Sequence, residues 1–394
     1  MPTEAVIVDV VRTPSGRGKP GGELSDIHPA DLLAGVLAEL VHRNGLDPAL
    51  VDDVIGGCVT QSGEQAGNIT RTAALSAGFP ESVPGVTIDR QCGSSQQAAA
   101  FAAQGVIAGA YDIVIACGVE SMSRAPMGSN VGAASLGGEL LHSRYPEGLV
   151  NQGVAAELIA ERWGIGRDEL DVFAAESHRR AAEAAASGAF EGELVPVPTP
   201  DSGSVEADET IRPGTTVEKL ATLAPSFRTD ALAARFPQLD WRITPGNSSP
   251  LTDGASAALI MGAEAAKRLG LRPRARFHSF AVTGSDPLFM LTGILPATRK
   301  LLDRSGVKLD DIQAYEVNEA FAPVPLLWQR EFDADPARLN PRGGAIALGH
   351  ALGSSGTRLL GTLLNELEAV GGRYGLQTMC EGGGTANATL IELL

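Results

Sequence analysis

The chain has 394 residues, of which 44% are hydrophobic and 20% charged, a composition typical of a globular protein with ample core. Its formal net charge of −16 disfavours a nucleic-acid partner, because phosphate contacts require clustered lysines and arginines. The four cysteines contain no C-x-x-C pair, the N-terminus lacks the basic start of a secretory signal, and no apolar run reaches about 18 residues. We therefore predict a cytoplasmic chain without a metal site, a disulfide framework or a membrane partner.

Predicted strands and helices alternate along most of the chain, which favours an α/β fold. The strands are predicted at 5–10, 53–59, 113–116 and 314–317, and the helices at 29–44, 67–77, 296–305 and 355–370. The texture changes between 120 and 249, where a Ser- and Gly-rich opening leads to helical stretches at 154–163 and 168–187 and a Pro-rich, acidic stretch at 195–212. This region is predicted to be a loop-rich insertion that carries a few surface helices.

Two pairs of similar segments indicate an internal duplication. The segments 111–117 and 374–380 both run from a tyrosine to a cysteine six residues later. A second pair, 255–260 and 386–391, is identical at four of six positions. The sequence therefore predicts two similar halves, with chance similarity between apolar strands as the alternative. The predicted domains are an N-terminal half (1–119, completed by 250–270), an inserted domain (120–249) and a C-terminal half (271–394).

Cys92 stands directly before Gly93 and two serines, and strong helix formers come next. Its sulfur is therefore predicted at a helix N-terminus, where unpaired N–H groups and the helix dipole favour a thiolate with a lowered pKa. Such a thiolate can act as a nucleophile. The alternative for a lone cysteine is a buried structural thiol.

Other segments carry further side chains suited to catalysis or ligand binding. His350 lies in a glycine-rich segment at 340–356, which suits a general base because the backbone can approach a substrate closely. Cys380 precedes glycines whose N–H groups can face a cavity, Asn318 ends a predicted strand, and a polar turn at 246–254 lies where the insertion would rejoin the first half. Structural roles are the alternative for each. Two thiols and a histidine favour a reaction in which one thiolate is acylated and the second thiol moves a proton.

Five motifs that span the chain in order resemble those of the thiolase family, which comprises acetyl-CoA acetyltransferases and 3-ketoacyl-CoA thiolases. They are Val-Arg-Thr-Pro at 11–14, Arg-Gln-Cys-Gly-Ser at 90–94, Asn-Glu-Ala-Phe at 318–321, Gly-His-Ala-Leu-Gly at 349–353 and Cys-Glu-Gly-Gly-Gly at 380–384. The resemblance implies the family fold, two similar α/β halves in five αβαβα layers with a loop domain inserted in the first. It also implies a homodimer or homotetramer.

The same resemblance implies an acyl-CoA:CoA C-acyltransferase that cleaves 3-ketoacyl-CoA reversibly into acetyl-CoA and a shortened acyl-CoA through an acyl group on Cys92. Coenzyme A would be a substrate, and no cofactor is expected. The alternatives are a short-chain biosynthetic acetoacetyl-CoA thiolase and a catalytically silent acyl-CoA-binding scaffold. A related ketosynthase is disfavoured by Cys380, because such enzymes usually carry histidine or asparagine there. The motifs around both cysteines look more like those of degradative thiolases, some of which act on steroid side chains or fatty acids.

The resemblance also implies a role for each residue of the site. Cys92 is the nucleophile, His350 activates it and helps to form a first oxyanion hole, and Cys380 is the acid/base. Asn318 holds a water in the first hole, and the N–H groups of Cys92 and Gly382 form a second. The positions that match the lining of the pantetheine and acyl channel are Ser249, Met290 and Phe321.

Four departures from the common family pattern concern the predicted pantetheine channel. Asn151-Gln152-Gly153 stands where His-Met-Gly is frequent, Ala224 replaces an arginine, Pro250 replaces a glycine, and the segment 228–242 is longer than in small acetoacetyl-CoA enzymes. A reshaped acyl entrance explains such a cluster, so we expect medium or bulky acyl groups to be preferred. Neutral drift in an exposed part of the CoA site is the alternative.

Overall fold

The computed structural model describes residues 4–200 and 203–394. Its strands are β1 (Ala5–Arg12), β2 (Gly16–Arg17), β3 (Asp53–Gly57), β4 (Val86–Ile88), β5 (Ile113–Ser121), β6 (Val197–Pro198), β7 (Ser204–Val205), β8 (Thr252–Gly262), β9 (Ala275–Gly284), β10 (Ala314–Val317), β11 (Tyr374–Glu381) and β12 (Thr385–Leu393). Its helices are α1 (Pro29–Arg43), α2 (Ile69–Ser76), α3 (Ser94–Ile107), α4 (Glu139–Arg144), α5 (Gln152–Arg162), α6 (Arg167–Ala186), α7 (Val217–Ala221), α8 (Asp230–Arg235), α9 (Ala263–Leu269), α10 (Ile294–Ser305), α11 (Pro323–Phe332), α12 (Ala345–Leu348) and α13 (Ser355–Val370). Among the residues so described, none of the helices has the length and apolar character needed to cross a bilayer.

The main sheet has ten strands in the order β10-β11-β12-β9-β1-β8-β5-β3-β4, with the short β2 paired to β8. In the N-terminal half the order β1-β8-β5-β3 repeats, strand for strand, the order β9-β12-β11-β10 of the C-terminal half. The first two pairs of each series are antiparallel and the third is parallel. The halves join where β1 pairs antiparallel with β9. The molecule is therefore built from two copies of one α/β unit, as the sequence predicts.

Three helical layers alternate with the two halves of the sheet, which gives five layers. In the middle layer α3 packs on α13, and their apolar side chains share one core cluster with strands of both halves. The outer layers are α1 with α2 on the first half and α10 with α11 on the second. The N–H group of Thr357 in α13 donates to Oγ of Ser95 in α3 at 3.0 Å. The loops that precede these two central helices therefore lie side by side.

Close approach of the two central helices depends on small side chains. Gly356, in the first turn of α13, lies against the backbone of Gln96, where a Cβ atom would overlap it. Glycine is the residue that permits such a backbone contact. On α3, Ala98 and Ala102 are both 0% exposed and belong to the core cluster that this helix shares with α13. The alanine-rich run after Cys92 therefore does more than favour a helix, because it also sets the spacing of the middle layer.

The two segment pairs that suggested a duplication lie on equivalent strands. Cys117 of β5 faces Ala257 of β8, and Cys380 of β11 faces Ala386 of β12. The sequence similarity aligned Ala255 with Ala386, so it identified the right strands but was two residues out in register. A shift of two residues keeps a side chain on the same face of a sheet, which explains why the pattern still matched.

The inserted region leaves the sheet after Ser121, the last residue of β5, and returns at Thr252, the first residue of β8. Its described residues form α4 to α8 and a two-stranded sheet of β6 and β7. The helices α5 and α6 occupy the two predicted helical stretches. Ile159 of α5 is buried in the same cluster as Leu295 of α10. An insertion that belongs to the first half thus packs on the second half.

Candidate active site

Cys92 lies in a tight turn directly before α3, the place predicted for it. The turn is fixed by Gln91, which has a φ of 48°, and by Ser94. The hydroxyl of Ser94 accepts a hydrogen bond from the N–H group of Arg90 at 2.9 Å and donates one to the carbonyl of Gln91 at 2.6 Å. Cys92 itself is only 2% exposed. The turn therefore holds the sulfur in one place inside the protein.

The predicted lowering of the Cys92 pKa is wrong for the free chain. Burial and the charge of Glu381 raise the pKa of this thiol to about 12. Hydrogen bonds from the N–H groups of Cys92 and Gly382 and from the Gln152 side chain lower it, but they do not outweigh burial. Desolvation is the larger effect. In the free chain the proton therefore stays on the sulfur.

Cys380 is the second thiol of the site. It is the last residue but one of β11 and is 0% exposed. Burial raises its pKa well above the ordinary range, and the next largest contribution comes from charge on Cys92. That coupling places the two sulfurs close to each other. The N–H group of Gly382, two residues further on, is close enough to Cys92 to lower the pKa of its thiol, and Gly382 lies against the Gln91 side chain, so the end of β11 meets the nucleophile turn.

His350 comes directly after Gly349, whose φ of 78° suits glycine, in the loop before α13. Its Nδ1 atom lies 2.6 Å from Oγ of Ser355, and this hydroxyl donates to the carbonyl of Ala351 at 2.9 Å. The hydroxyl hydrogen is thus engaged, so Nδ1 carries the ring proton and donates it to Ser355. The other ring nitrogen, Nε2, is left as an acceptor. Ser355 was not singled out in the sequence, although it stands five residues after the histidine, at the start of α13.

The environment keeps His350 unprotonated. Burial lowers its pKa to about 3, and the nearby charge of Arg358 acts in the same direction. The backbone N–H group of His350 donates to Oγ1 of Thr252 at 2.9 Å, which ties the loop to β8. At neutral pH the imidazole can therefore accept a proton through Nε2.

Asn318 joins the histidine to β11, next to the second thiol. Its Nδ2 atom lies 3.3 Å from Nε2 of His350, and its backbone N–H group donates to the carbonyl of Thr378 at 3.1 Å. Its Oδ1 atom is buried and has no partner among residues 4–200 and 203–394. A buried amide oxygen in that position can accept a hydrogen bond from a water or a substrate.

Glu120, which the sequence did not mark as important, anchors the histidine loop to the first half. Its two oxygens accept hydrogen bonds of 2.9 Å from the N–H groups of Val59, Thr60 and Gly353 and from the Gln65 amide. Gly353 belongs to the loop that carries the histidine. A carboxylate at the end of an otherwise apolar strand was the signal that could have identified this role.

The three residues predicted to line the pantetheine and acyl channel lie beside the end of the second half that carries Cys380. The backbone N–H group and the hydroxyl of Ser249 both donate to the carbonyl of Ala320, at 3.0 and 3.2 Å. The ring of Phe321 meets that of Phe227 edge to face, with centroids 5.9 Å apart. Met290 is buried in the same apolar cluster as Phe321. Aromatic and sulfur-bearing side chains thus cluster where the acyl channel is predicted.

The described contacts bring these groups to neighbouring loops: Cys92 shares an apolar cluster with Leu352 of the histidine loop, and Asn318 contacts both His350 and the strand that carries Cys380. Within the described part of the chain, no group of three or more His, Cys, Asp or Glu side chains is arranged to hold a metal ion.

Comparison with known proteins points to one family. The family described as "Thiolase, N-terminal domain" matches residues 5–264, and "Thiolase, C-terminal domain" matches residues 271–393. The chain is 49% identical over 401 residues to a steroid 3-ketoacyl-CoA thiolase, FadA6, of Mycobacterium tuberculosis, covering 100% of this chain and 95% of that protein. It is 40% identical to a 3-ketoacyl-CoA thiolase of Bacillus subtilis, with 99% of each chain covered.

A solved structure agrees with these matches. The crystal structure of the Bacillus anthracis acetyl-CoA acetyltransferase superposes with a TM-score of 0.88 at 37% sequence identity. The superposition covers 100% of this chain and 99% of that one. The likeness therefore extends over both halves and the insertion between them.

Proposed function

The chain belongs to the thiolase family, and we propose that it cleaves 3-ketoacyl-CoA reversibly with coenzyme A to give acetyl-CoA and a shortened acyl-CoA. The observation that carries this proposal is the placement of two interacting buried thiols beside the loop of an unprotonated histidine, to which Leu352 and Asn318 connect them. Thiolysis uses each of these as nucleophile, proton carrier or oxyanion donor. Acyl-CoA and coenzyme A are the substrates, and the proposed reaction needs no bound cofactor.

In the first half-reaction the Cys92 sulfur attacks the ketone carbon of the substrate while its proton passes to Nε2 of His350. The bond between that carbon and the carbon next to the thioester breaks, which leaves the acyl group on Cys92. The electron pair remains on the carbon next to the thioester, where Cys380 supplies a proton, and acetyl-CoA departs. Since burial keeps the proton on the sulfur in the free chain, ionisation of Cys92 is coupled to this attack.

In the second half-reaction coenzyme A enters, and the Cys380 thiolate takes the proton of its thiol. The coenzyme A sulfur attacks the acyl carbonyl, and Cys92 leaves and regains the proton held by His350. All three side chains return to their starting states. The same steps run backwards give condensation, so metabolite concentrations set the direction.

Two sets of donors serve the charge that develops on oxygen. We assign the N–H groups of Cys92 and Gly382 to the ketone oxygen, because both are close enough to the sulfur that makes the new bond to lower its pKa. Nε2 of His350, once it has taken the proton, serves the thioester oxygen together with a water held by Asn318. The unpartnered Oδ1 atom of Asn318 in the described structure supports that assignment.

We further propose that medium or bulky acyl groups are preferred over acetoacetyl-CoA. Two features support this preference: the 49% identity to a steroid 3-ketoacyl-CoA thiolase, and the folding of the long segment 228–242 onto α5 through Phe236 and Leu239. That segment covers the part of the insertion next to the aromatic pair of Phe227 and Phe321. Four additional buried methylenes at about 0.8 kcal/mol each correspond to roughly a hundredfold gain in kcat/KM.

Thiolysis of 3-ketoacyl-CoA esters of increasing size, measured side by side, tests the substrate proposal. We expect a medium-chain or steroid side-chain ester to give the highest kcat/KM. Equal or better activity on acetoacetyl-CoA would identify a short-chain enzyme instead. Binding of acyl-CoA without turnover of any ester would identify a silent binding protein and overturn the proposed reaction.

We also propose that the enzyme is a homodimer or homotetramer of the cytoplasm. Leu136 and Leu140 of the insertion are 85% and 87% exposed, and Val86 is exposed on the edge strand β4. Exposed apolar side chains and unpaired strand edges are commonly covered by a second chain. A reducing compartment would keep all four free cysteines, the nucleophile included, as thiols.

A further inference from the structure

Glu381 is a buried carboxyl group that the proposed reaction does not use. It ends β11 directly after Cys380 and is 0% exposed. Neither of its oxygens makes a hydrogen bond of normal geometry to a described residue, although the hydroxyl of Thr385 is close enough to influence it. Buried carboxyl groups ordinarily have partners, because an unpaired buried charge is costly. A group left without them beside two reactive thiols calls for a functional explanation.

The carboxyl group lies against the turn that carries the nucleophile. A Cβ atom at Gly93 would overlap Oε1 of Glu381, so this oxygen touches the backbone one residue after Cys92. Asn387 of β12 is also close, but its amide N–H group already donates to the carbonyl of Gly93 at 3.0 Å. The charge of Glu381 raises the pKa of Cys92 and that of Cys380. One carboxyl group therefore acts on both thiols.

We propose that Glu381 is a positioning residue that sets the ionisation of both thiols, favouring the thiolates when uncharged and opposing them when charged. The proposal rests on the proposed function, in which Cys92 and Cys380 do the chemistry. The Gln91 side chain also reaches from the nucleophile turn to Gly382, but its amide carries no charge. The residue deepens the proposed mechanism because it decides under which conditions the thiols can give up their protons.

The groups around Glu381 determine at which pH its carboxyl group becomes charged. Burial raises the pKa of Glu381 to about 7, while the charge of Arg90 lowers it and that of Asp89 raises it. The other groups that face it are the two thiols and the neutral side chains of Thr385 and Asn387. Below pH 7 the carboxyl group is neutral, and above pH 7 its charge makes both thiols harder to ionise. The histidine of the site does not titrate in this range, since its pKa is about 3.

Alkylation of Cys92 by iodoacetamide, followed by mass spectrometry from about pH 5.5 to about pH 9, tests the proposal on the full chain, because the rate depends on the thiolate fraction. In the wild type the logarithm of the rate should rise with pH, flatten around pH 7 and then rise again. Glu381→Gln removes the charge and keeps the shape. Its rate should equal that of the wild type at the acid end and be about three- to tenfold higher at the alkaline end, without the flattening.

Two further variants keep the test decisive. Glu381→Asp keeps a charge and should keep the flattening. Glu316 of β10 provides the matched control, because it is also buried with an unpartnered oxygen in the described structure. The charge that affects the pKa of Glu316 most strongly is that of Arg358, not that of a thiol. Glu316→Gln should therefore keep the flattening as well.

Three results would overturn the proposal: an unchanged profile in Glu381→Gln, a rate reduced by the same factor at every pH, or loss of the flattening in Glu316→Gln. The measurement needs no substrate. If the chain failed to cleave 3-ketoacyl-CoA, the proposed reaction would fall while the alkylation profile still reported on Glu381. A normal thiolysis rate with parallel alkylation profiles would overturn this inference alone.

Discussion

The carboxyl ends of β5 and β11 occupy equivalent places in the two halves, but their carboxylates are treated in opposite ways. At the end of β5, Glu120 accepts hydrogen bonds from three backbone N–H groups and one amide. At the end of β11, Glu381 has no such partner among the described residues. The carboxyl group lies three residues after Cys117 in one copy and one residue after Cys380 in the other, and only the first accepts hydrogen bonds from neighbouring groups. The first carboxylate holds loops together, and the second is free to influence chemistry.

The cysteines of the same two strands differ in a similar way. Cys117 and Cys380 are both 0% exposed, and burial raises the pKa of both thiols. Cys117 packs among apolar side chains of the outer core of the first half. Cys380 is coupled to Cys92 and stands shortly before three consecutive glycines. Burial and a raised pKa therefore do not identify a reactive thiol, whereas a second thiol and an open backbone beside it do.

Replacement of Cys92 should have the largest effect, because it removes the atom that carries the acyl group. Cys92→Ser should reduce thiolysis by about 10⁴-fold or more, since removal of a nucleophile from a coupled catalytic set typically costs that much. Brief exposure of the wild type to acetyl-CoA should place an acetyl group on Cys92, as located by mass spectrometry. An acetyl group on Cys117 would contradict the structural role given to that thiol. An acetyl group on Cys58 would show that the nucleophile had been assigned to the wrong site.

Paired replacement of Cys380 and Cys117 compares the two strand ends directly. Cys380→Ala should still form the acyl group on Cys92 but turn over about 10³-fold more slowly or worse, because the proton carrier is gone. Cys117→Ala should turn over at a near-normal rate and lose only a little stability, because it truncates a small core side chain. Steady-state kinetics with mass spectrometry of the trapped enzyme measures both. Near-normal turnover of Cys380→Ala would contradict the two-thiol mechanism.

Most of the helices and strands could be predicted because local sequence patterns indicate them. The helix α13 begins and ends at the predicted residues 355 and 370, and α5 and α6 lie where helical stretches were expected. The strand β9 was not predicted, since half-buried polar side chains such as Arg276 and His278 give it a surface-like pattern. The packing of the insertion on the second half was not predicted either, because a contact between distant segments leaves no periodic pattern in the local sequence.

The sequence could mark candidate residues of the site but not their electrostatics. Motifs marked Cys92, His350 and Cys380, and the fold gathers their loops at the middle helical layer. The pKa of Cys92 was expected to be lowered, because only the helix terminus is visible in the sequence. The opposing effects come from distant residues, namely burial against Leu352 and Met379 and the charge of Glu381. Desolvation of this kind depends on tertiary packing.

The two carboxylates should respond oppositely to replacement by glutamine. Glu120→Gln places an amide N–H group against several N–H donors and should lower the free energy of unfolding by about 1 to 3 kcal/mol at about pH 8. Burial raises the pKa of Glu120, so the effect should be largest where this carboxyl group is charged. Glu381 has a folded-state pKa of about 7, above its ordinary 4.5, so its contribution to stability is lost as the pH rises between these values. That loss amounts to about 3 kcal/mol.

Glu381→Gln should abolish the loss, so this variant should be more stable than the wild type at about pH 8 and no more stable at about pH 5. Denaturant unfolding at the two pH values, monitored by circular dichroism, measures the differences. If Glu120→Gln were harmless, or if Glu381→Gln were destabilising by the same amount at both pH values, the two strand ends would not differ in the way described.

The smallest expected effect concerns the segment after each strand end, since β5 leads into the insertion and β11 into a three-glycine turn. A ligand that binds along the channel should restrain the insertion more than the sheet, because surface loops open locally at low cost while central strands open only with the whole fold. Addition of coenzyme A should therefore slow amide hydrogen exchange a few-fold around Ser249 and at the start of α5, where Gln152 reaches the Cys92 thiol. Exchange in the central strands β5 and β11 should not change. If the insertion helps to bind coenzyme A, exchange should slow in the segment that follows β5 and not in the central strands. Slowing confined to the start of α3, with the insertion unaffected, would place coenzyme A elsewhere and would mean that the insertion does not help to form its site.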